Sequence, residues 1–167
     1  MKVNLMPVFI SFFLCSFLCS SGENVTLERT KADLIFGVTL ANVKKALLLD
    51  DLDALSAEIS YPLTVITPEK NKSKNISYKI FKIYNKQELV SNYQKIFSGF
   101  NKDLIDCLEL GNITYDRSIG YMAAYGNIWF DHVLVDGKFK FKLSTISLKQ
   151  SVVERWVSSN CKFPKPH

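Results

Sequence analysis

Hydrophobic positions at helical spacing dominate residues 26–49, and this periodicity predicts a long helix that only Gly37 weakens locally. The predicted apolar face consists of Leu27, Leu34, Val38, Ala41, Ala46 and Leu49. A second, short helix is expected over 51–58, with Asp50 as its N-terminal cap and Asp53 in its first turn. We therefore expect two helices before the first strand.

The pattern changes at Pro62, which cannot continue a helix because its nitrogen carries no hydrogen. The segment ISYPLTVI (59–66) is therefore predicted to be extended. Residues 67–76 (TPEKNKSKNI) are polar and rich in lysine, so we expect a loop there. Residues 77–83 (SYKIFKI) alternate between apolar and polar positions, which predicts a second strand.

A second helical region begins with a recognisable start signal. Asn85 is followed three positions later by Glu88, a pairing typical of a capping box. The sequence LVSNYQKIF (89–97) continues at helical spacing. Residues 101–109 predict a further short helix, which we expect to end at Gly111.

After this point the hydrophobic period becomes two, which indicates strands. The predicted strands cover residues 112–116, 120–125, 127–135 and 138–148. Asp136-Gly137 joins the last two, and this dipeptide strongly favours a two-residue hairpin turn. A short amphipathic segment follows around residues 152–157. Helices followed by a meander predict an α+β domain, with N-terminal helices packed on a curved antiparallel sheet.

The N-terminus has the composition of a secretory signal peptide. Lys2 precedes an uncharged apolar run over 5–19, and small residues follow at 20–22. The run is shorter than the roughly 20 apolar residues that a membrane-spanning helix needs. We therefore expect a signal peptide at 1–21, with lipidation of Cys19 or Cys15 as a less favoured alternative. The remaining chain divides into a single domain at 22–161 and a tail at 162–167.

Composition narrows the class of protein without indicating a reaction. Of the 167 residues, 47% are hydrophobic and 22% are charged, which is typical of one globular domain and excludes disordered or collagen-like chains. The formal net charge of +5 is mild, and the basic residues are too evenly spread to indicate nucleic-acid binding. We expect no nucleic-acid partner and no stable membrane insertion.

Two cysteines, Cys107 and Cys161, remain after the predicted leader. In an exported protein they favour a disulfide, although two buried free thiols are the alternative. A metal site is not predicted, because neither His132 nor His167 stands at ligand spacing from a cysteine. The chain also contains no Gly-rich phosphate loop, nucleophile elbow or dinucleotide fingerprint, so no cofactor is expected.

Four segments occur in a characteristic order: ISYPL (59–63), YNKQELVSNYQKIF (84–97), GYMAAYGNIWF (120–130) and FKLSTIS (141–147). In this order they resemble small exported bacterial proteins of the nuclear transport factor 2-like superfamily. The resemblance covers about residues 30–148 and implies a cone-shaped fold, with a pocket between the helices and the concave sheet. It implies a periplasmic location, with an extracellular one as the alternative. It transfers no catalytic residues.

Candidate pocket residues lie in the predicted meander. They are Tyr115, Tyr121, Tyr125, Trp129 and His132. Asp131 and His132 are the best acid–base pair, but neighbours on a strand point to opposite faces and do not form one dyad. The tyrosines either line the pocket or build the core, and aromatic residues at this density favour the core. No catalytic residue is predicted.

Two groups of lysines are candidates for binding a partner. Lys138, Lys140 and Lys142 alternate with apolar residues, which predicts three outward-pointing ammonium groups on one strand face. Lys70, Lys72 and Lys74 lie in the predicted polar loop. Such a face serves either as a solvated, aggregation-blocking edge or as a positive surface for an acidic partner.

Three classes of function are compatible with these features. The first is a non-enzymatic periplasmic binding protein, specifically an immunity protein that inhibits an acidic toxin or effector acting on the cell envelope. The second is a small-ligand carrier or enzyme that uses the cone pocket. The third is a structural accessory protein of the envelope. The absence of a catalytic motif and the basic strand favour the first.

Overall fold

The computed structural model describes residues 28–70, 76–98 and 100–161. The predicted signal peptide and the predicted C-terminal tail at 162–167 lie outside these residues. Within the described ranges, no helix is both long enough and apolar enough to cross a membrane.

The helical elements form two pairs and a single C-terminal helix along the chain. They are α1 (Arg29–Leu48), α2 (Leu52–Ala57), α3 (Lys86–Phe97), α4 (Phe100–Cys107) and α5 (Gln150–Asn160). Single 3-10 turns occur at Leu110–Asn112 and Ala124–Gly126. The amphipathic segment predicted around 152–157 lies within α5, whereas the helix predicted over 101–109 ends at Cys107.

The strands form one sheet of six in the described residues. They are β1 (Ile59–Lys70), β2 (Ile76–Ile83), β3 (Thr114–Asp116), β4 (Gly120–Ala123), β5 (Ile128–Val135) and β6 (Lys138–Ser147). Their order across the sheet is β2-β1-β6-β5-β4-β3. The α+β class is therefore confirmed.

The sheet is mixed, so the prediction of an antiparallel sheet was wrong at one pairing. β3 to β6 form an antiparallel meander, and β1 and β2 form a second antiparallel pair. β6 then returns beside β1 in the parallel direction, with Val65 opposite Ile146. Parallel strands need a long connection between them, and here α3, α4 and the meander provide it.

The predicted loop at 67–76 was wrong for its first four residues and for its last, because β1 continues through Lys70 and β2 begins at Ile76. Thr67 pairs with Lys79 and Lys70 pairs with Ile76, so the strands extend as a ladder of polar and apolar residues. Residues 71–75 lie outside the described residues. The polar composition of this segment fits an edge hairpin exposed to solvent as well as it fits a loop.

An aromatic cluster fills the space between α1 and the sheet. Phe36 of α1 stacks on Tyr121 with ring centres 3.9 Å apart. Phe130 and Phe141 meet the Phe36 ring edge-on at 5.1 and 5.8 Å. All four side chains are buried. Such contacts stabilise the fold beyond simple area burial and fix how α1 sits on the sheet.

The buried face of α1 is not the predicted one. Leu34, Val38 and Leu49 are 72%, 63% and 63% exposed, and only Ala46 of the described predicted positions is buried. The residues that face the core are Ala32, Phe36, Thr39, Leu40, Val43, Ala46 and Leu47. The helix is apolar on two opposite sides, and the sheet covers the side that carries Phe36.

The start of α3 is confirmed, whereas the cap of α2 is shifted by one residue. Asn85 accepts a hydrogen bond from the Glu88 backbone N–H at 2.9 Å, as a capping box requires. Asp51, rather than Asp50, caps α2 by accepting from the Ala54 N–H at 2.9 Å. Asp50 instead takes a left-handed conformation with a φ of 50° between the two helices.

The hairpin between β5 and β6 is confirmed. Asp136 and Gly137 have φ values of 50° and 71°, and Val135 pairs directly with Lys138. Positive φ at both central residues matches the right-handed twist of the strands. Further along β6, Ser144 is an extra residue in the ladder, and this bulge lets both Leu143 and Ile146 face the core.

The disulfide between Cys107 and Cys161 is confirmed. The two Cα atoms are 5.6 Å apart, and the bridge closes a loop with a sequence separation of 54. It joins the end of α4 to the residue that follows α5. α5 is therefore held against α4 by a covalent bond as well as by packing.

Candidate protein-binding surface

The predicted pocket residues Tyr121 and Tyr115 lie together, but Tyr121 belongs to the core. Its ring is fully buried between Phe36 and Phe141, and the Phe141 ring centre is 5.0 Å away. The half-buried Tyr115 ring lies 4.8 Å from Tyr121. These side chains pack in the core and do not line an open cavity.

A charged pair covers the polar end of Tyr121. The hydroxyl donates to the Asp33 carboxylate, and Arg29 Nε donates to both oxygens of the same carboxylate at 2.8 and 3.0 Å. The Arg29 guanidinium also lies 5.2 Å from the centre of the Tyr115 ring. Burial, with a further contribution from the hydrogen bond to Asp33, raises the pKa of Tyr121, so its hydroxyl stays protonated above the pH at which an exposed tyrosine ionises.

The other three pocket candidates are placed separately. Tyr125 is 72% exposed, and Trp129 is half-buried with its Nε1 donating to the Gly126 carbonyl at 2.8 Å. His132 lies opposite Phe141 on the neighbouring strand, and its ring centre is 6.3 Å from that of Phe139. The five candidates therefore do not converge on one cavity.

A left-handed turn ends β4 earlier than predicted and explains the exposure of Tyr125. Ala124, Tyr125 and Gly126 have φ values of 50°, 54° and 83°. The buried Asn127 side chain donates to the Ala124 carbonyl and holds this turn. Sequence patterning missed the turn, because two of its three residues are unusual in this conformation.

Two clefts border α1, and none of the pocket candidates lines either one. A cleft of about 150 Å³ lies against α4 and includes Lys44, Leu48 and Lys102. Another of about 270 Å³ lies against α2 and includes Asn42 and Glu58. Both clefts lie at the surface rather than between α1 and the sheet.

The predicted outward lysine face is correct for two of its three members. Lys138 and Lys140 are exposed. Lys142 is not a free surface cation: its side chain is only 14% exposed, and its Nζ lies 3.1 Å from Glu58 Oε2. The same Nζ donates to the Ala57 carbonyl at the end of α2. α2 packs beside this part of β6, which alternation along one strand does not reveal.

The hairpin carries apolar side chains next to these lysines. Val133 pairs with Lys140 and Val135 pairs with Lys138, so each shares a sheet face with its lysine. Leu134 pairs with Phe139, so it points to the opposite face of the sheet, where it is 65% exposed. We call Val133, Val135, Lys138 and Lys140 the hairpin surface. The apolar residues of this surface were not predicted from the sequence. The alternating pattern predicts that a strand forms, but it does not show which residues of the strand the helices leave uncovered.

The second group of lysines remains a prediction. Lys70 is the last residue of β1. Lys72 and Lys74 lie outside the described residues.

The described residues contain no group of three or more His, Cys, Asp or Glu side chains placed to hold a metal ion. Comparisons of the chain with protein-family models, curated proteins and solved structures find no match.

Proposed function

We propose that this protein is a non-enzymatic binding protein of the periplasm, and specifically an immunity protein that neutralises a toxin acting on the cell envelope. The observation that carries the proposal is the filled interior. Phe36, Tyr121, Phe130 and Phe141 occupy the space where a ligand-binding cone would be open.

Cavity size supports surface binding over a carrier or enzyme function. Pockets for small molecules usually measure about 300–1,000 Å³ and enclose most of the ligand. The two clefts beside α1 measure about 150 and 270 Å³. Neither of these clefts reaches that range, which supports binding through an exposed surface.

The hairpin surface supplies the chemistry for an acidic partner. Lys138 and Lys140 provide positive charge, and the half-buried Val133 and Val135 provide apolar contact area on the same sheet face. Exposed charges accelerate encounter with an oppositely charged protein, whereas apolar contacts at the centre supply most of the affinity. This combination supports a dedicated inhibitor.

The order of the elements is compatible with the cone-like fold that the sequence resemblance implies. Two helices precede a Pro-containing strand, and a helix ending in Ile96-Phe97 precedes the meander. The Ile128-Trp129-Phe130 segment lies in β5, at the place where the resemblance expects a strand. We infer a cone-like scaffold whose interior is closed by aromatic side chains.

The test is neutralisation of an envelope-directed toxin encoded beside this protein. We expect the wild-type protein to bind the purified toxin and to protect cells that export it. A Lys138→Glu/Lys140→Glu variant should bind and protect less. Lys79→Glu, an exposed lysine on β2, is the matched control and should behave as wild type. Failure of the wild-type protein to bind or protect would reject the immunity function.

A further inference from the structure

Helix α5 is attached to the rest of the protein in a different way at each of its ends. At its start, the Leu148 N–H donates to the Ile66 carbonyl of β1 at 2.7 Å, and the Lys149 ammonium lies 3.9 Å from the centre of the Tyr78 ring. At its other end, Cys161 forms the disulfide that joins it to the end of α4. The disulfide therefore anchors the end of α5 that is remote from β6.

Between these two ends, the contacts that α5 makes with other elements are apolar. Val153, Trp156 and Val157 are buried in the core. The polar side chains of α5 that form hydrogen bonds donate to carbonyls of the same helix, those of Arg155 and Trp156. Among the described side chains of residues 151–160, none forms an ion pair or a hydrogen bond with another element.

The length of α5 makes it dependent on these contacts. It has 11 residues, and isolated helices shorter than about 12–15 residues are only marginally stable in water. Its few buried side chains must therefore offset the conformational entropy that is lost when the whole helix is ordered. The disulfide reduces this loss, because it restricts the segment in the undocked state as well. The docking of α5 therefore depends on the disulfide.

α5 covers two features at one end of the molecule. Its principal contacts are with α4 and with the left-handed turn at Ala124–Gly126. Leu104, Ile105 and Leu108, in α4 and just after it, are buried, and so is Ala124 of the turn. The aromatic cluster between α1 and the sheet consists of side chains from α1, β4, β5 and β6. Release of α5 would therefore uncover α4 and the turn and leave this cluster in place.

The disulfide is placed where a thiol reductant can reach it, since Cys107 and Cys161 are both partly exposed. One thiolate of a dithiol attacks one of the two sulfurs and forms a mixed disulfide, while the other sulfur leaves as a thiolate and takes up a proton. The second thiol of the reductant then displaces the remaining protein sulfur. Two electrons pass to the protein, which gains two thiols, and the reductant becomes a disulfide.

We propose that Cys107 and Cys161 form a redox-sensitive switch that controls the docking of α5. In the disulfide form, α5 is docked on α4 and on the left-handed turn. Reduction by a dithiol releases α5, while α1 and the sheet stay folded. An oxidising compartment therefore completes the fold, and a reducing one leaves α4 and the turn uncovered. This inference does not depend on which partner the protein binds.

The experiment follows amide hydrogen exchange by NMR in the protein with and without dithiothreitol. The amides of Trp156 and Val157, in the second half of α5, report on the helix. The Leu143 N–H, which donates to the Glu58 carbonyl at 2.9 Å, reports on the sheet. Reduction should accelerate exchange in α5 by about a thousandfold, the factor that corresponds to closing a loop of this length. Exchange at Leu143 should stay slow, because the sheet remains folded.

A Cys107→Ser/Cys161→Ser variant is the matched control. It should show rapid exchange in α5 without any reductant, and dithiothreitol should not change that exchange. A second measurement uses Trp156, which is 5% exposed and is one of two tryptophans in the chain. In Trp129→Phe, which leaves Trp156 as the single tryptophan, reduction should shift the emission to longer wavelength.

Three results would overturn the proposal. The first is slow exchange in α5 and unchanged Trp156 emission in protein whose two thiols are shown by labelling to be free. The second is exchange at Leu143 that accelerates together with that of α5, because the disulfide would then support the whole fold. The third is a native disulfide that resists dithiothreitol although the urea-unfolded protein is readily reduced.

Discussion

Replacing Lys142 should destabilise the protein, although its neighbour in the lysine pattern, Lys140, is freely replaceable. Lys142 and Glu58 are 14% and 16% exposed, and the Lys142 Nζ also satisfies the carbonyl at the end of α2. Lys142→Glu would place two carboxylates together and leave that carbonyl without its donor. Removing one partner of a buried ion pair lowers the free energy of unfolding by about 3–5 kcal/mol. Because both side chains keep some exposure, we expect a loss near the lower end, about 3 kcal/mol.

The measurement is urea and thermal unfolding of Lys142→Glu and Lys140→Glu beside the wild type. A loss of about 3 kcal/mol should lower Tm by roughly 10 °C in a domain of this size. Lys140→Glu should change the free energy of unfolding by no more than about 0.5 kcal/mol. A Glu58→Lys/Lys142→Glu swap should recover part of the loss. Equal stability of the two single variants would refute the assignment of Lys142 to a buried pair.

Three further predictions concern the disulfide, alkaline pH and export. Cys161→Ser should lower the free energy of unfolding by about 4 kcal/mol under oxidising conditions and have little effect in reductant, because the bridge closes a long loop; two free thiols in native protein by quantitative labelling would contradict this. Burial, with the hydrogen bond to Asp50, raises the pKa of Tyr93 from 10.0 to about 12. Its stabilising contribution should therefore be complete below pH 10 and decline as the pH rises towards 12, a decline absent from Tyr93→Phe in unfolding measured across that range. Intact-mass measurement of the periplasmic fraction should show a chain that starts near Gly22; retention of residues 1–21 or a lipid on Cys19 would contradict the predicted signal peptide.

Local signals in the sequence predicted the structure correctly where a few adjacent residues determine it. The Asn85 cap and the Asp136-Gly137 turn are examples, since each depends on contacts within four residues. The disulfide was predicted from the cysteine count and the expected compartment. The helical and strand regions followed from hydrophobic period, apart from their ends.

Features that depend on distant parts of the chain could not be predicted. The parallel pairing of β1 with β6 brings together segments about eighty residues apart. The hydrophobic pattern of α1 fits two opposite faces, and only the sheet determines that Phe36 rather than Val38 is buried. The ion pair of Lys142 depends likewise on where α2 packs. For the candidate surface, strand alternation identified Lys138 and Lys140 but not Val133 and Val135, which share their face through the pairing with β5.

The central claim is that this protein acts by binding another protein through a charged exterior surface. Association kinetics with a purified envelope-directed toxin that the protein neutralises, measured at low and high salt, test this claim most directly. We predict fast association that slows as salt is raised, and that slows at low salt in Lys138→Glu/Lys140→Glu but not in Lys79→Glu. Association that is unchanged by salt and by the hairpin variant would contradict the account.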